Sequence, residues 1–93
     1  MIVSFGNAAA RAAWERRFIK GYPDVVIKAA HRKLFQIAHA RNLDDLRAPP
    51  GNRLESLSGD RKGQYSIRVN DQWRVCFAWK DGDAHDVEIV DYH

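Results

Sequence analysis

The sequence predicts an α+β fold: an N-terminal strand, then a two-helix antiparallel hairpin packed on an antiparallel sheet. Three observations predict it. Apolar residues recur every three or four positions over residues 24–41, as in a helix with one buried face. From residue 53 onward they alternate with polar residues, as in half-buried strands. A length of 93 residues suits one compact domain, so we expect a single domain over 1–93.

The first predicted elements are a strand and a helix. Residues 2–5 are β-prone, and Asn7 is a good N-cap for a helix over residues 8–20. Trp14 and Phe18 stand at i and i+4 of that helix, on one face. We therefore expect both rings in the core.

A second helix is predicted to begin at Asp24 and to end at Asn42, with one narrow apolar stripe along it. Residues 21–23 form a connection short enough to make the two helices an antiparallel hairpin. Residues 43–46 predict one further turn, and the proline and glycine residues of 47–52 then break regular structure. The stripe consists of Ile27, Ala30, Leu34, Ile37 and Arg41.

Three strands follow, connected by tight turns. Period-two alternation predicts strands over 64–69, 73–79 and 85–93, with a hairpin loop at 70–72. The Asp-Gly pair at 81–82 is typical of a type I′ turn, because both central positions of that turn need a positive φ.

The charge of the chain is mildly basic and unevenly distributed. Its net charge of +3 falls short of the strong basic stripe of a dedicated nucleic-acid binder. Residues 1–53 carry ten Lys and Arg against four Asp and Glu, whereas residues 54–93 carry five against eight. The first half therefore either offers a basic surface to phosphates or to an acidic partner, or simply exposes solvated cations on its helices.

Several classes of protein are not expected. The single cysteine, Cys76, excludes an internal disulfide and fits a reducing compartment. No apolar run approaches the ~20 residues of a membrane span, and the first residues lack the charged and apolar regions of a signal peptide. We expect a cytoplasmic protein with no membrane contact, no bound metal ion and no cofactor.

Successive side chains of a strand point to opposite faces of a sheet, and this strand parity places polar side chains on the face that turns away from the helices. Ser66, Arg68, Arg74 and Tyr92 share that face. Two arginines beside a phenol suit a phosphate site, because guanidinium groups bind phosphate oxygens in pairs and the phenol can donate or accept a proton. The same pattern is also typical of the ordinary solvated face of an antiparallel sheet.

Two further segments carry candidate chemistry. Residues 59–63 predict a turn between two glycines with Arg61 and Lys62 at its tip, a shape that approaches a phosphate backbone closely. The sequence closes on Asp91-Tyr92-His93. Histidine, with an ordinary pKa of ~6.5, suits proton transfer near neutrality.

Large parts of the chain resemble the HigB branch of the RelE/ParE toxin superfamily. The resemblance lies in residues 53–69, in residues 73–77, in the closing Asp91-Tyr92-His93 and in the Met-Ile-Val-Ser-Phe start. Its most specific parts are the Gly-Asp-Arg-x-Gly turn, the Trp-Arg strand and the Asp-Tyr-His segment, and it covers essentially the whole chain. It implies the RelE-like microbial RNase toxin fold, in which the antiparallel sheet is curved.

The resemblance implies a type II toxin that inhibits translation and growth. Such a toxin is a ribosome-dependent endoribonuclease that cuts mRNA in the A site of the 70S ribosome, and a helix-turn-helix antitoxin of the HigA type neutralises it. It contacts operator DNA only through that antitoxin. Because the sequence shows no metal-binding cluster, we expect metal-independent cleavage in which the 2′-hydroxyl attacks the adjacent phosphate.

The resemblance also assigns roles to residues. Arg74 corresponds to the phosphate-stabilising arginine and Asp91-Tyr92-His93 to the catalytic trio. Some members carry a histidine and a lysine in the strand before the Gly-Asp turn, where this chain has Glu55 and Ser58. Glu55 is thus a candidate substitute base, and the assignment of general base and general acid stays open. The expected catalytic residues are Asp91, Tyr92, His93, Arg74 and Glu55, and the expected RNA-binding residues are Arg53, Arg61, Lys62 and Arg68.

Two other functions stay open at this point. A non-enzymatic inhibitor of DNA gyrase, like the ParE-type toxins of the same superfamily, would have no need of the Asp91-Tyr92-His93 segment. A catalytically weak homologue that mainly binds its antitoxin is suggested by Glu55 and Ser58. Growth arrest on expression, with or without cuts in mRNA, separates these three functions.

Overall fold

Two helices precede a four-stranded antiparallel sheet in the computed structural model, which describes residues 1–92. The elements are α1 (Ala8–Trp14), α2 (Asp24–His39), β1 (Glu55–Ser56), β2 (Gln64–Arg68), β3 (Trp73–Lys80) and β4 (Asp83–Asp91). The strands lie in the order β1-β2-β3-β4, so each pairs with the next one along the chain. Short 3-10 turns occupy Leu43–Leu46 and Gly59–Arg61. The predicted α+β fold is confirmed.

The hairpin between β3 and β4 contains a tight turn and a bulge. Asp81 and Gly82 have φ values of 54° and 81°, as the predicted type I′ turn requires. The pairing of the two strands then shifts near Asp86, whose φ of 53° marks a bulge. Because the turn is so short, β4 already begins at Asp83, earlier than the predicted residue 85.

The core lies between one face of the sheet and the two helices. Four residues of the apolar stripe predicted for α2 are buried, with Leu34 and Ile37 fully inaccessible, whereas Arg41 lies beyond the helix and is exposed. Val75, Phe77 and Val87 are equally buried in the sheet. The buried residues of α1 are all alanines, so this helix can approach α2 and β4 closely. Burying one face of the sheet leaves the other to the polar residues that strand parity places there.

The predicted N-terminal strand is present only as two isolated parallel bridges to β4. Between them, Asp86 of the bulge donates its N–H to the Ser4 hydroxyl at 2.9 Å. This N–H is therefore not part of a backbone ladder, and a continuous strand does not form. The bridges join Ile2 to Ala84 and Phe5 to Val87.

The first helix ends at Trp14, well before the predicted residue 20. It closes in a Schellman motif, in which Arg16 takes the left-handed conformation, with φ 59°, that glycine usually takes. The N–H groups of Arg16 and Arg17 donate to carbonyls of the last helical turn at 3.2 and 2.8 Å. The expectation that Trp14 and Phe18 lie in the core is wrong, since the two residues are 36% and 50% exposed. Phe18 lies beyond the point where the chain leaves the helix.

The second helix begins at Asp24 as predicted but ends at His39. Asn42, predicted as its last residue, instead caps the next turn: its side chain accepts from the N–H of Asp45 at 3.2 Å, and the Asp45 carboxylate accepts from the N–H of Asn42 at 3.3 Å. A residue that caps the following turn takes an extended backbone and cannot continue the helix before it. No helix in the described residues 1–92 is both long and apolar enough to cross a membrane.

Candidate active site

A polar cleft of about 280 Å³ lies on the sheet face that turns away from the helices. It forms where the segment leading into β1, the β2–β3 turn and the end of β4 meet. Strand parity alone predicted that polar residues of these strands would share this face, and the structure brings several of them together. The predicted residues that line the cleft are Arg53, Glu55, Arg68, Arg74 and Tyr92, and Asn70 and Asp71 complete it.

Arg74 is the fixed centre of this cleft. It lies on β3 and is only 8% exposed. Its Nε donates to the hydroxyl of the fully buried Ser66 at 2.8 Å, and its Nη2 donates to the Arg53 carbonyl at 2.7 Å. A buried charge is tolerated only where such hydrogen bonds offset the loss of water. Nη2 also donates to the Ser66 carbonyl at 3.4 Å, so three bonds from two nitrogens hold the guanidinium in one orientation.

A carboxylate and a phenol flank the guanidinium of Arg74. Oε1 of Glu55 lies 4.0 Å from Nη1, at the limit of an ion pair. The ring centroid of Tyr92 lies 5.7 Å from Cζ, within the range of a cation–π contact. The side chain of Glu55 is 55% exposed and Tyr92 is 44% exposed. The carboxylate of Glu55 and the phenol of Tyr92 thus reach solvent, whereas the guanidinium of Arg74 is buried.

A buried asparagine, which sequence analysis did not single out, supports the segment that supplies the Arg53 carbonyl. Asn52 is fully buried, and its Oδ1 accepts from Lys33 Nζ at 2.6 Å. Its Nδ2 donates to Oε1 of Gln36 at 2.8 Å and to the carbonyl of Leu46 at 3.2 Å. Burial is the main reason that the pKa of Lys33 is lowered. These bonds connect α2 to the rim of the cleft.

Arg53 itself adopts a left-handed conformation, with φ 46°, which is uncommon for a residue other than glycine. The backbone carbonyl of the preceding Asn52 accepts from the N–H of Arg68 at 2.6 Å, and that of Arg53 accepts from Arg74. Bonds on both sides of Arg53 therefore hold this conformation. A proline- and glycine-rich loop has no periodicity, so no signal in the sequence identified Asn52 as a buried residue.

Arg68 and Arg74 face each other across β2 and β3. Like charges directly opposite each other destabilise a strand pair, and an ion pair between Arg68 and Asp71 reduces this repulsion. The side chain of Asn70 shapes the same turn by accepting from two backbone N–H groups, both at 2.9 Å. Asn70 and Asp71 were not predicted as cleft residues, although their place in the loop that follows Arg68 was a usable signal.

The basic turn at 59–63 does not line the cleft. Arg61 donates from Nη1 to Oε2 of Glu88 at 2.7 Å and to Oε1 of Gln64 at 3.0 Å. The bond to Glu88 is the main reason that the pKa of Arg61 is raised. Arg61 thus fastens the turn to β4, whereas Lys62 at its tip is exposed to solvent.

The closing Asp91-Tyr92-His93 segment is described only in part. Tyr92 lines the cleft, and the carboxylate of the exposed Asp91 accepts from Nε2 of Gln72 at 2.9 Å. His93, predicted as a catalytic residue, lies outside the described residues. Within residues 1–92, no group of three or more His, Cys, Asp or Glu side chains is arranged to hold a metal ion.

The electrostatics of the cleft suit a phosphodiester. Three arginines line it against the carboxylates of Glu55 and Asp71. A guanidinium that is already oriented, like that of Arg74, stabilises charge that develops on phosphoryl oxygens. Exposed groups such as Glu55 and Tyr92 can exchange protons with a bound substrate.

Comparison with known protein families gives a match over most of the chain. Residues 15–93 match the model of the family described as the RelE-like toxin of type II toxin-antitoxin system HigB. Toxin HigB-1 of Vibrio cholerae is 50% identical over 62 residues, which are 67% of this chain and 65% of that protein. An uncharacterized protein of Haemophilus influenzae is 37% identical over 67 residues, 72% of this chain and 66% of that protein. The chain spans just under two thirds of the length of these two relatives.

A third relative matches over its whole length, and solved structures share the fold. Endoribonuclease HigB of Proteus vulgaris is 31% identical over 93 residues, all of both chains. A chain of the YoeB-YefM complex from Staphylococcus aureus superposes with a TM-score of 0.62 at 17% identity, covering 100% of this chain and 98% of that one. Likeness at this identity shows the fold alone. From the family match and the full-length relative, this chain belongs to the RelE-like toxins of the type II toxin-antitoxin system HigB.

Proposed function

We propose that this protein is a ribosome-dependent endoribonuclease that cuts mRNA at the cleft around Arg74, and that an antitoxin of the HigA type neutralises it. The observation that carries the proposal is the buried guanidinium of Arg74, held by Ser66 and by the Arg53 carbonyl. A cation fixed in advance stabilises the transition state without reorganising during the reaction. The name of the Proteus vulgaris relative, Endoribonuclease HigB, supports RNA cleavage as the reaction.

Cleavage follows a transesterification by the 2′-hydroxyl. A general base takes the proton of this hydroxyl, the 2′-oxygen forms a bond to the adjacent phosphorus, and the bond from phosphorus to the 5′-oxygen breaks. A general acid gives a proton to the leaving 5′-oxygen. The products are a 2′,3′-cyclic phosphate and a free 5′-hydroxyl. The protein supplies charge stabilisation and two proton transfers, with no cofactor and no metal ion.

The groups around Arg74 divide these tasks. Glu55 acts as the general base, because its exposed carboxylate lies 4.0 Å from the guanidinium that would hold the phosphate. Tyr92 and His93 carry the proton to the leaving oxygen and orient the substrate. Asp91 orients His93. A lost general acid or base costs about 10²- to 10⁴-fold in rate, so each role is measurable by substitution.

The remaining basic residues bind the RNA backbone on either side of the scissile phosphate. Arg53 and Arg68 line the cleft beside Arg74 and extend its phosphate contacts. Lys62 contacts the backbone from the exposed turn, and Arg61 contributes by holding that turn against β4. Backbone contacts of this kind position the RNA without reading its sequence.

The ribosome supplies most of the affinity for the substrate. A net charge of +3 and a few phosphate contacts bind naked RNA weakly at physiological salt. In the A site of the 70S ribosome, the mRNA is held still and presented to the cleft in one position. Translated mRNA is therefore cut much faster than free mRNA.

The activity is restrained in the cytoplasm by a helix-turn-helix antitoxin, through which alone the toxin contacts operator DNA. The structurally similar chains come from toxin-antitoxin complexes, one of them a heterotetramer of YoeB and YefM, which supports a protein partner for this fold.

Cleavage of a defined mRNA by the purified protein tests the proposal. The mRNA is supplied free or on translating 70S ribosomes, to the native protein, to Arg74→Lys and to the control Arg47→Lys, whose exposed side chain pairs with Asp44 outside the cleft. We expect cyclic-phosphate ends on translated mRNA, a loss of at least about 100-fold in Arg74→Lys, and no loss in Arg47→Lys. Equal cutting of free and translated mRNA contradicts ribosome dependence. No cutting of either, together with inhibition of gyrase, would replace the endoribonuclease by a ParE-type inhibitor.

A further inference from the structure

A chain of hydrogen bonds runs from α2 through Asn52 to the guanidinium of Arg74. Asn52 lies in the loop before β1 and is fully buried. Its Oδ1 accepts from Lys33 Nζ at 2.6 Å and its Nδ2 donates to Gln36 Oε1 at 2.8 Å, so its side chain is held by α2. The next residue, Arg53, offers its carbonyl to Arg74 Nη2 at 2.7 Å, on the sheet face that turns away from the helices. Two consecutive residues thus bind groups on opposite sides of the sheet.

Every polar group of Asn52 is hydrogen-bonded. Its second amide proton goes to the Leu46 carbonyl at 3.2 Å. Its backbone N–H donates to the Pro49 carbonyl at 3.1 Å, and its backbone carbonyl accepts from the N–H of Arg68 at 2.6 Å. Five bonds therefore fix this residue. A primary amide supplies both the acceptor and the two donors that the side-chain bonds need, whereas an apolar side chain of similar size supplies neither.

Arg53 needs a fixed neighbour because of its own backbone. Its φ of 46° lies in the left-handed region, which a residue other than glycine keeps only where its surroundings hold it. The direction of its carbonyl depends on this conformation. Relaxation of Arg53 to an ordinary negative φ would turn the carbonyl away from Nη2 of Arg74 and remove that bond. The anchored Asn52, directly before Arg53, opposes this relaxation.

We propose that Asn52 is a positioning residue for the cleavage reaction, because it orients Arg74 through the carbonyl of Arg53. The inference rests on the proposed function for its chemistry. Asn52 is fully buried and cannot touch the RNA. Its effect is on the direction in which the guanidinium points, and a misdirected cation stabilises charge on phosphoryl oxygens less well. A buried amide with a structural role alone would change stability and leave the rate of the folded protein unaltered.

The guanidinium of Arg74 can be observed directly by NMR, without any substrate. Exchange of its hydrogens with water is measured in the native full-length protein, in Asn52→Ala and in the control Ile27→Ala, each well below its Tm. Ile27 is a buried residue near the start of α2 and takes no part in the bonds around Asn52. Its truncation costs stability of the same order as the loss of buried hydrogen bonds. We expect exchange at least about tenfold faster in Asn52→Ala and within about twofold of native in Ile27→Ala.

Single-turnover cleavage on translating ribosomes separates positioning from binding. We expect the maximal rate of Asn52→Ala to be about tenfold below that of the native protein. The ribosome concentration that gives half of this rate is expected to stay within about twofold of native, because no contact with RNA is lost. Ile27→Ala is expected to match the native protein in both quantities.

A second variant keeps the test decisive if Asn52→Ala does not fold. Gln36→Met changes no charge and removes one bond, that from Nδ2 of Asn52 at 2.8 Å. Gln36 is half-buried on α2 and does not line the cleft. We expect the same two effects in Gln36→Met at about threefold each, since the bonds of Asn52 to Lys33 and to the Leu46 carbonyl remain.

Three results would overturn the inference. One is native exchange of the Arg74 hydrogens in Asn52→Ala or in a folded Gln36→Met. Another is a change confined to the half-saturating ribosome concentration. The third is an equal effect of Ile27→Ala, which would assign the change to lost stability. If the native protein cuts no mRNA but Asn52→Ala still speeds exchange at Arg74, the proposed function fails while the control of Arg74 by Asn52 stands.

Discussion

Replacing Ser66 by alanine removes one of the three hydrogen bonds that the guanidinium of Arg74 donates, the other two being to the carbonyls of Arg53 and Ser66. The Ser66 hydroxyl is fully buried and accepts from Arg74 Nε at 2.8 Å. Ser66→Ala leaves this N–H without its partner where little water reaches. A hydrogen bond to a charged group contributes about 1.5–3 kcal/mol to the free energy of unfolding. In a domain of this size, Tm falls by about 4–8 °C for each kcal/mol of unfolding free energy that is lost. A loss of about 2 kcal/mol thus lowers Tm by about 8–16 °C.

The same change is expected to slow cleavage well below Tm. Arg74 keeps its bond to the Arg53 carbonyl, at 2.7 Å, but loses the constraint on Nε. A looser guanidinium stabilises the transition state less well, and we expect about a tenfold lower single-turnover rate on translating ribosomes.

Circular dichroism melting and ribosomal cleavage are measured side by side for Ser66→Ala and for Ser56→Ala, which alters an exposed serine of β1. The control is expected to match the native protein in both. A lower Tm with an unchanged cleavage rate would refute the reasoning, because it would show that cleavage does not depend on a fixed Arg74. If Tm and the cleavage rate of Ser66→Ala both equal those of the native protein, the hydrogen bond between Ser66 and Arg74 is not made in solution.

Three further predictions concern residues around the cleft. Asn52→Ala removes three side-chain hydrogen bonds from a buried site. Urea unfolding is therefore expected to show a free energy of unfolding lower by about 3 kcal/mol. An unchanged urea midpoint would show that these bonds do not stabilise the loop. Glu88→Gln weakens the bond that holds Arg61, so trypsin is expected to cut the turn 59–63 faster; equal rates would contradict this role. Burial raises the pKa of the Cys76 thiol above its ordinary 9.0. The unfolded chain therefore loses this proton first, and stability falls as pH rises through that value. Cys76→Ala is expected to flatten the fall between about pH 8 and 10 in unfolding measurements, and an unchanged slope would exclude the thiol as its cause.

Features set by neighbouring residues were predictable from the sequence. The Asp-Gly pair at 81–82 predicted its turn because the two dihedral angles are local requirements. The stripe of α2 and the alternation of β2 and β3 predicted the buried faces, since side-chain direction follows from helical or strand period. Strand parity also placed Ser66 and Arg74 on one face, where they are found.

Features set by distant contacts were not predictable. Parity gave the face of Arg74 but not its burial, which also depends on the segment at Arg53 that packs beside it. The end of α1 depends on a left-handed Arg16, and arginine gives no sequence signal for that conformation. The position of Asn52 depends on side chains of α2 that are far away in sequence.

Mapping of mRNA 5′ ends after brief induction tests most directly whether this chain cuts mRNA at the cleft. The native protein is expected to create new 5′-hydroxyl ends within translated reading frames before growth stops, and Arg74→Lys at equal protein level is expected to create almost none. Growth arrest by the native protein without new ends, or the same ends with Arg74→Lys, would contradict the account.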